Sequence, residues 1–336
     1  MVSNGASVAF DQSRPPALGG MVPPDGVLHP GQQTDLVSPD GRPTPEFRRQ
    51  LRTIPNLRNA ATIMLLYAQT IAIAAGAVWL GWWAWIPAFV LMGRAHAQFA
   101  ALMHESAHRL LFSNRRWNDL AGRWLLGYPG LVSTDAYRRV HMAHHRREFG
   151  PEEPDIPLYQ GYPISPASLR RKLVRDATGR TGLRLLKAQF APSRWRDRRQ
   201  RRTLSHMLIV QATFLLVAVI AGHPLVYPIL WVLPFLTIWR VINRLRSIAE
   251  HGGLAASEDR RVTTHSVRQD PLTRFFMAPY QLGFHLAHHV DAGVPFRSLP
   301  AYHRALEASG YISDDYQYRS YWSLWSALAS QSDHRQ

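Results

Sequence analysis

The stretch NAATIMLLYAQTIAIAAGAVWLGWWAWIPAFVLMG, from Asn59 to Gly93, contains no charged residue. A helix crosses a bilayer with about 20 mostly apolar residues. This stretch is too long for one crossing and slightly short for two. The simplest reading is a helical hairpin whose returning helix runs on through a few polar residues that face inward. Gly81, flanked by Trp79, Trp82, Trp83 and Trp85, marks the turn and an interfacial aromatic belt. A second run, MLIVQATFLLVAVIAGHPLVYPILWVLPFLTIW from Met207 to Trp239, contains only the titratable His223. Gly222-His223-Pro224 marks its turn. Together the two runs predict an all-α integral membrane protein with four crossings in two hairpins, at about 60–78, 83–104, 204–221 and 226–250.

Charge orients the hairpins. The 39 Lys+Arg outnumber the 23 Asp+Glu, for a net charge of +16. Neither hairpin tip carries Lys or Arg, whereas residues 104–203 carry about twenty. Basic residues concentrate on the cytoplasmic side of membrane proteins. Both termini and the central segment are therefore expected in the cytoplasm, the latter as a helical cap. Lys172 and Lys187 are the only lysines, an arginine bias that fits GC-rich bacterial coding. In a bacterium the membrane would be the plasma (inner) membrane. With the charge explained by topology and anionic lipid, no basic-aromatic stripe points to nucleic acid. The lack of cysteine excludes disulfides, thiolate zinc sites, cysteine-ligated iron–sulfur clusters and cysteine nucleophiles.

Residues 1–43 are rich in Pro, Gly and Ser and read as a disordered tail without the early apolar core of a secretory signal. The membrane domain is placed at 44–312. It begins with a short basic helix, Glu46 to about Arg52, expected to lie on the membrane surface. Residues 313–336 read as a tail or an interfacial helix, with Tyr321, Trp322 and Trp325.

Histidines cluster just past the cytoplasmic ends of the apolar runs: HESAH (104–108), HMAHH (141–145), the lone His251, and HLAHH (285–289). Residues three and four apart share one face of a helix, so each box presents two or three imidazoles together. Neutral imidazole suits iron, zinc, copper and nickel. Nine clustered imidazoles exceed the need of one four-coordinate zinc and suit two metal ions at four or five nitrogens each. In both hairpins the returning helix outlasts the bilayer and ends in a histidine, His104 in one and His251 in the other. That parallel groups His251 with the boxes. His96 lies on a different face from His104 and reads as structural. Arg94 is expected either to contact substrate or the surroundings of the metal site, or to extend to the interface. Asp155 reads either as a carboxylate that fixes an imidazole tautomer or as a turn-forming surface acid. A transporter or bis-histidine haem protein fits less well, since its ligands would sit within the apolar runs.

In order, spacing and topology these elements resemble the integral-membrane fatty acid desaturase family, from about Met92 to Ile312. The likeness includes Glu152-Glu153-Pro154-Asp155 after the second box and Val294-Pro295-Phe296, Leu299-Pro300 and His303 after the third. It implies a non-haem di-iron centre whose ligands are His104, His108, His141, His144, His145, His251, His285, His288 and His289. It further implies an O2-dependent oxidoreductase that uses two external electrons to desaturate an unactivated C–C bond of a lipid acyl chain. The family also holds hydroxylases, ketolases and desaturases of non-lipid metabolites. Some members have an asparagine one turn before the lone histidine; here it is Ser247. The chain has no glycine-rich dinucleotide fingerprint. The electrons are therefore expected from a separate donor, a ferredoxin or a cytochrome with its reductase.

Overall fold

The computed structural model describes residues 18–150, 153 and 155–331. Among these residues there are helices, turns and isolated β-bridges, and no strand. Helix α1 (Pro45–Leu51) starts where Pro45 follows the N-cap Thr44, whose hydroxyl accepts from the Phe47 amide. Helix α2 (Asn56–Leu80) ends at Gly81, whose φ of 89° lies in a region that side chains with a Cβ disfavour. Helix α3 (Trp85–Ala107) then folds back along α2, and Gln69 and Gln98 share a side-chain hydrogen bond of 2.7 Å between them.

The helical stretches long and apolar enough to cross a membrane are Asn56–Leu80, Arg198–Ile220 and Tyr227–His251. The expected crossing at 83–104 is not among them. Arg94, His96, Gln98 and His104 interrupt its apolar run, and every residue of α3 from Met92 to Ala107 is buried. Helix α3 is the central helix, so its polar groups find protein partners. Arg94 has several protein partners. It donates to the Phe275 carbonyl (2.6 Å) and to Gln69 (3.1 Å) and Gln98 (2.9 Å), and stacks over the Phe275 ring. It therefore joins α2, α3 and the 271–276 turn. By contrast Leu65, Ile71, Ile209, Leu216 and Ile220 on the outer helices are exposed, an apolar girdle that a bilayer would cover.

Beyond α3 come α4 (Arg115–Leu120), α5 (Thr134–Arg146), α6 (Pro166–Ala177), α7 (Arg180–Gln189) and the long α8 (Arg198–Ile220). The last apolar stretch is not one straight helix. Pro228 and Pro234 each lack an N–H for the helical ladder. The chain forms a π-helical turn at Tyr227–Val232 and a short turn at Leu233–Leu236, then breaks at Thr237 before α9 (Ile238–His251). Buried Asp176 of α6 receives Arg244 of α9 and fixes the two helices together.

Both ends of the described chain pack against the domain. The proline-rich stretch expected to be disordered over 1–43 is folded from residue 18 onward; residues 1–17 lie outside the described ones. The Gln32 amide donates to the Ser309 carbonyl, Val37 bridges to Pro43 and is fully buried, and Arg261 donates to the His29 carbonyl. Few apolar side chains suffice because backbone groups of the tail find partners on the domain. At the other end, α12 (Tyr321–Leu328) buries Tyr321, Leu324 and Leu328 against α9, and the Trp325 indole donates to the Leu245 carbonyl. Between them lie α10 (His285–Val290) and α11 (Leu299–Ala308).

Gly93 of α3 packs tightly against Ile238, the first residue of α9. A Cβ there would lie 2.2 Å from Ile238 Cγ2. Gly93→Val is expected to destabilise the fold by about 1–3 kcal/mol through overpacking, read as a lower thermal midpoint in detergent. Pairing it with Ile238→Ala should restore part of the loss. An unchanged midpoint in the single variant would refute the close approach.

Candidate metal centre

Four elements deliver the histidines. The last turn of α3 carries His104, and His108 follows as its C-cap residue. Helix α5 carries His141, His144 and His145; it forms because Ser133 caps the Ala136 amide and Asp135 complements the first turn. Helix α9 ends at His251, and α10 opens with His285 and carries His288 and His289. All nine sequence-predicted histidines come together. His104, His108, His141, His145 and His288 form one group able to hold a metal ion, with donor nitrogens within 4.8 Å of one another. His144, His251 and His289 form a second, and the His285 Nε2 lies 3.0 Å from that of His251. The His145 and His289 rings stack with centroids 4.4 Å apart, so the groups adjoin.

The donor set fits cations. Nε2 atoms face each other at 2.8 Å between His108 and His141, and at 3.1 Å between His141 and His145 and between His145 and His288. A neutral imidazole has one N–H and one lone pair, so hydrogen bonds among these rings cannot satisfy every nitrogen turned inward. The second group shows the same preparation. His144 Nδ1 donates to Glu153, His289 Nδ1 to Glu148 (2.6 Å) and His251 Nδ1 to the Thr263 carbonyl (2.7 Å). With the Nδ1 protons so held, the buried Nε2 atoms of His144 and His289 have no hydrogen-bond partner and carry lone pairs.

The carboxylates are the part sequence reasoning missed. The structure puts Glu153 on His144 and Glu148 on His289, and Asp155 is buried rather than a surface acid. Glu148 also pairs with Arg260 at 2.8 Å. Glu153 further accepts from the Tyr159 hydroxyl and the Phe149 amide. Phe149 has a φ of 60°, which turns that amide inward, and no spacing rule announces such a turn. His96 stays apart from the cluster, its Nε2 2.9 Å from the Trp231 carbonyl. The Ser247 hydroxyl donates to the Asn243 carbonyl of its own helix.

Burial, reinforced by neighbouring imidazoles, holds His108, His141, His145 and His285 well below the ordinary imidazole range and His288 down to about 3. They are neutral at physiological pH, as metal binding requires. His144 goes the other way: burial opposes its proton, but the Glu153 hydrogen bond and charge prevail and raise it. A histidine whose pKa falls on folding favours the unfolded chain once acid protonates the latter near pH 6.5. Its contribution is complete above that pH and drains as pH falls toward the folded value. For His288 the loss by pH 5 is roughly 2 kcal/mol. The thermal midpoint of the metal-stripped protein should therefore drop between pH 7.5 and 5; a flat profile would contradict buried neutral rings.

Residues 79–325 match the family model described as fatty acid desaturase. The chain is 25% identical over 270 residues to the dihydrorhizobitoxine desaturase of Bradyrhizobium elkanii, covering 75% of this chain and 76% of that protein. A 61-residue segment, 18% of this chain, is 38% identical to the Delta(5) fatty acid desaturase fat-4 of Caenorhabditis elegans and covers 14% of it.

Proposed function

Because the chain belongs to the fatty acid desaturase family and is an oxidoreductase, we propose that it uses O2 and two external electrons to desaturate an unactivated C–C bond of a lipid acyl chain. The observation that carries the proposal is the convergence of nine histidines from four elements into two adjoining groups. His104, His108, His141, His145 and His288 would hold one iron; His144, His251, His285 and His289 would hold the other. Bound there, the iron pair supplies the oxidising power needed to take hydrogen from an unactivated carbon. The chain's own groups do the rest. Glu148 and Glu153 retain the Nδ1 protons of His289 and His144 and keep each ring turned inward. Tyr137 stacks on His141 at 5.0 Å and, with the surrounding buried rings, keeps water from the centre. A ferredoxin, or a cytochrome with its reductase, would deliver the electrons from the side on which the basic residues of 104–203 lie.

For topology we propose four crossings, with α3 as the fourth: its polar residues are shielded by protein and need no lipid contact. Both termini and the histidine centre then lie on the cytoplasmic side. The absence of basic residues at both hairpin tips, against about twenty in 104–203, supports this orientation.

A second reading is oxidation of a smaller, non-lipid metabolite. It draws on the relative named for dihydrorhizobitoxine, which matches over most of both chains. Product analysis of extracts from cells expressing the chain, beside a His144→Ala control, decides between them. Acyl chains two mass units lighter support the first reading. Unchanged lipids with an oxidised small metabolite support the second, and products sixteen units heavier identify hydroxylation. No oxidised product from the iron-loaded, reduced protein defeats both.

A further inference from the structure

A cleft of about 120 Å³ opens between the first turn of α5, the end of α7 and the first turns of α8. Its mouth carries Arg139, Arg194 and Arg199. One acid lines it, Asp135, and that carboxylate is already engaged by the Arg123 guanidinium through two contacts of 3.0 Å. Arg139 and Arg199 take part in no salt bridge among the described residues, and Arg194 donates to Gln200 at 3.2 Å. The lining thus carries three arginines against one carboxylate, which Arg123 already engages.

Polarity is graded along it. Arg199, Thr203 and Met207 follow at intervals of four on one face of α8, with Gln200 and Leu204 beside them. From Arg199 to Met207 the helix rises about 12 Å and passes from cationic to apolar. The lining includes Tyr137, whose ring stacks on the His141 ring at 5.0 Å and 16°. Tyr137 thus belongs both to the lining of the cleft and to the surroundings of the histidine group. Gln189 adds a second signal. Its amide nitrogen donates to the Leu131 carbonyl and Met207 sulfur, while its buried Oε1 has no partner. An unmet buried acceptor next to guanidinium donors suits a head that offers both an anion and a hydrogen-bond donor.

We propose that this cleft seats the substrate's polar head, and that the head is an acidic group, carboxylate or phosphate, with a hydroxyl or ammonium donor close by. The chain of that amphiphile runs past Leu204 and Met207 toward Tyr137 and the histidines. The assignment rests on the oxidative reading above and deepens it by naming the substrate class. In that topology Arg199–Met207 also marks the depth at which α8 leaves the headgroup layer for the apolar core.

The test is calorimetric binding to the purified full chain in dodecyl maltoside, read without turnover. The probes share a twelve-carbon chain: 2-hydroxydodecanoate, dodecanoate, 1-lauroylglycerol-3-phosphate and dodecane-1,2-diol. The acids should bind about tenfold or more tighter than the diol. The double variant Arg139→Gln/Arg199→Gln should lose that preference, and Arg171→Gln/Arg184→Gln, exposed arginines outside the cleft, should keep it. Gln189→Leu should erase the advantage of 2-hydroxydodecanoate over dodecanoate. Whichever of the hydroxy acid and the glycerol phosphate binds tighter tells a free acid from a phospholipid head. Equal binding of diol and acids, or a preference that survives in Arg139→Gln/Arg199→Gln or vanishes equally in Arg171→Gln/Arg184→Gln, overturns the proposal. Metal content and oxidation are measured separately: loss of oxidation with the acid preference intact would fault the reaction assigned, and the reverse pattern would fault the cleft.

Discussion

Replacing His141 by alanine is expected to cut metal content from two ions per chain toward one and lower turnover on the order of a thousandfold or more. His141 sits at the middle of the five-histidine group, its Nε2 2.8 Å from that of His108 and 3.1 Å from that of His145. No single neighbour can replace a donor that faces two others. The ring is also the floor against which Tyr137 stacks, so its loss opens the centre to water. The fold should largely survive, because His141 holds no carboxylate that would be left charged and unpaired. Elemental analysis together with product formation checks this. Two bound metals with wild-type turnover would remove the first group from the chemistry.

The second large effect is expected at Glu148. Its carboxylate accepts from His289 Nδ1 at 2.6 Å and pairs with Arg260 at 2.8 Å. Glu148→Ala frees the His289 ring to turn and to change tautomer, and leaves Arg260 without its partner. Groups in this position typically contribute 10–100-fold in metal affinity or activity, and a loss of about that size is expected here. Glu148→Gln keeps an acceptor oxygen without the charge and should recover part of the loss. Competition with a chelator of known affinity separates weakened metal binding from unfolding. Wild-type metal affinity in Glu148→Ala would show that the His289 orientation is set elsewhere.

Much of the arrangement could be read from local pattern. The charge-free runs mark α2 and α8 because apolar side chains must be shielded from water over a fixed helical length. Gly81 and Gly222 mark the turns, each with positive φ. The spacing in HMAHH sets its three rings on one side of α5, since helical pitch is local. Two segments owe their behaviour to distant partners, which local pattern does not show. The 83–104 segment was weighed by its own composition, yet its polar residues are satisfied by Gln69 and the Phe275 carbonyl, 25 and 181 residues from Arg94. Residues 18–43 have little apolar content, yet their backbone is held by the Ser309 carbonyl and the Arg261 side chain.

The amino-acid order alone determined which segments are helical and apolar, where they turn, and which imidazoles share a helix face, because each follows from interactions among residues a few positions apart. Tertiary structure alone decided that five histidines meet in one group and the rest in the next. It also decided that Glu148 and Glu153 hold the His289 and His144 rings, and that Tyr137 lines an arginine-bearing cleft. Those outcomes depend on packing between elements as far apart as His145 and His288, 143 positions in the chain, and on the turn at Phe149 that aims one amide inward. No rule of spacing reaches across such separations; only the closure of the helices around α3 does.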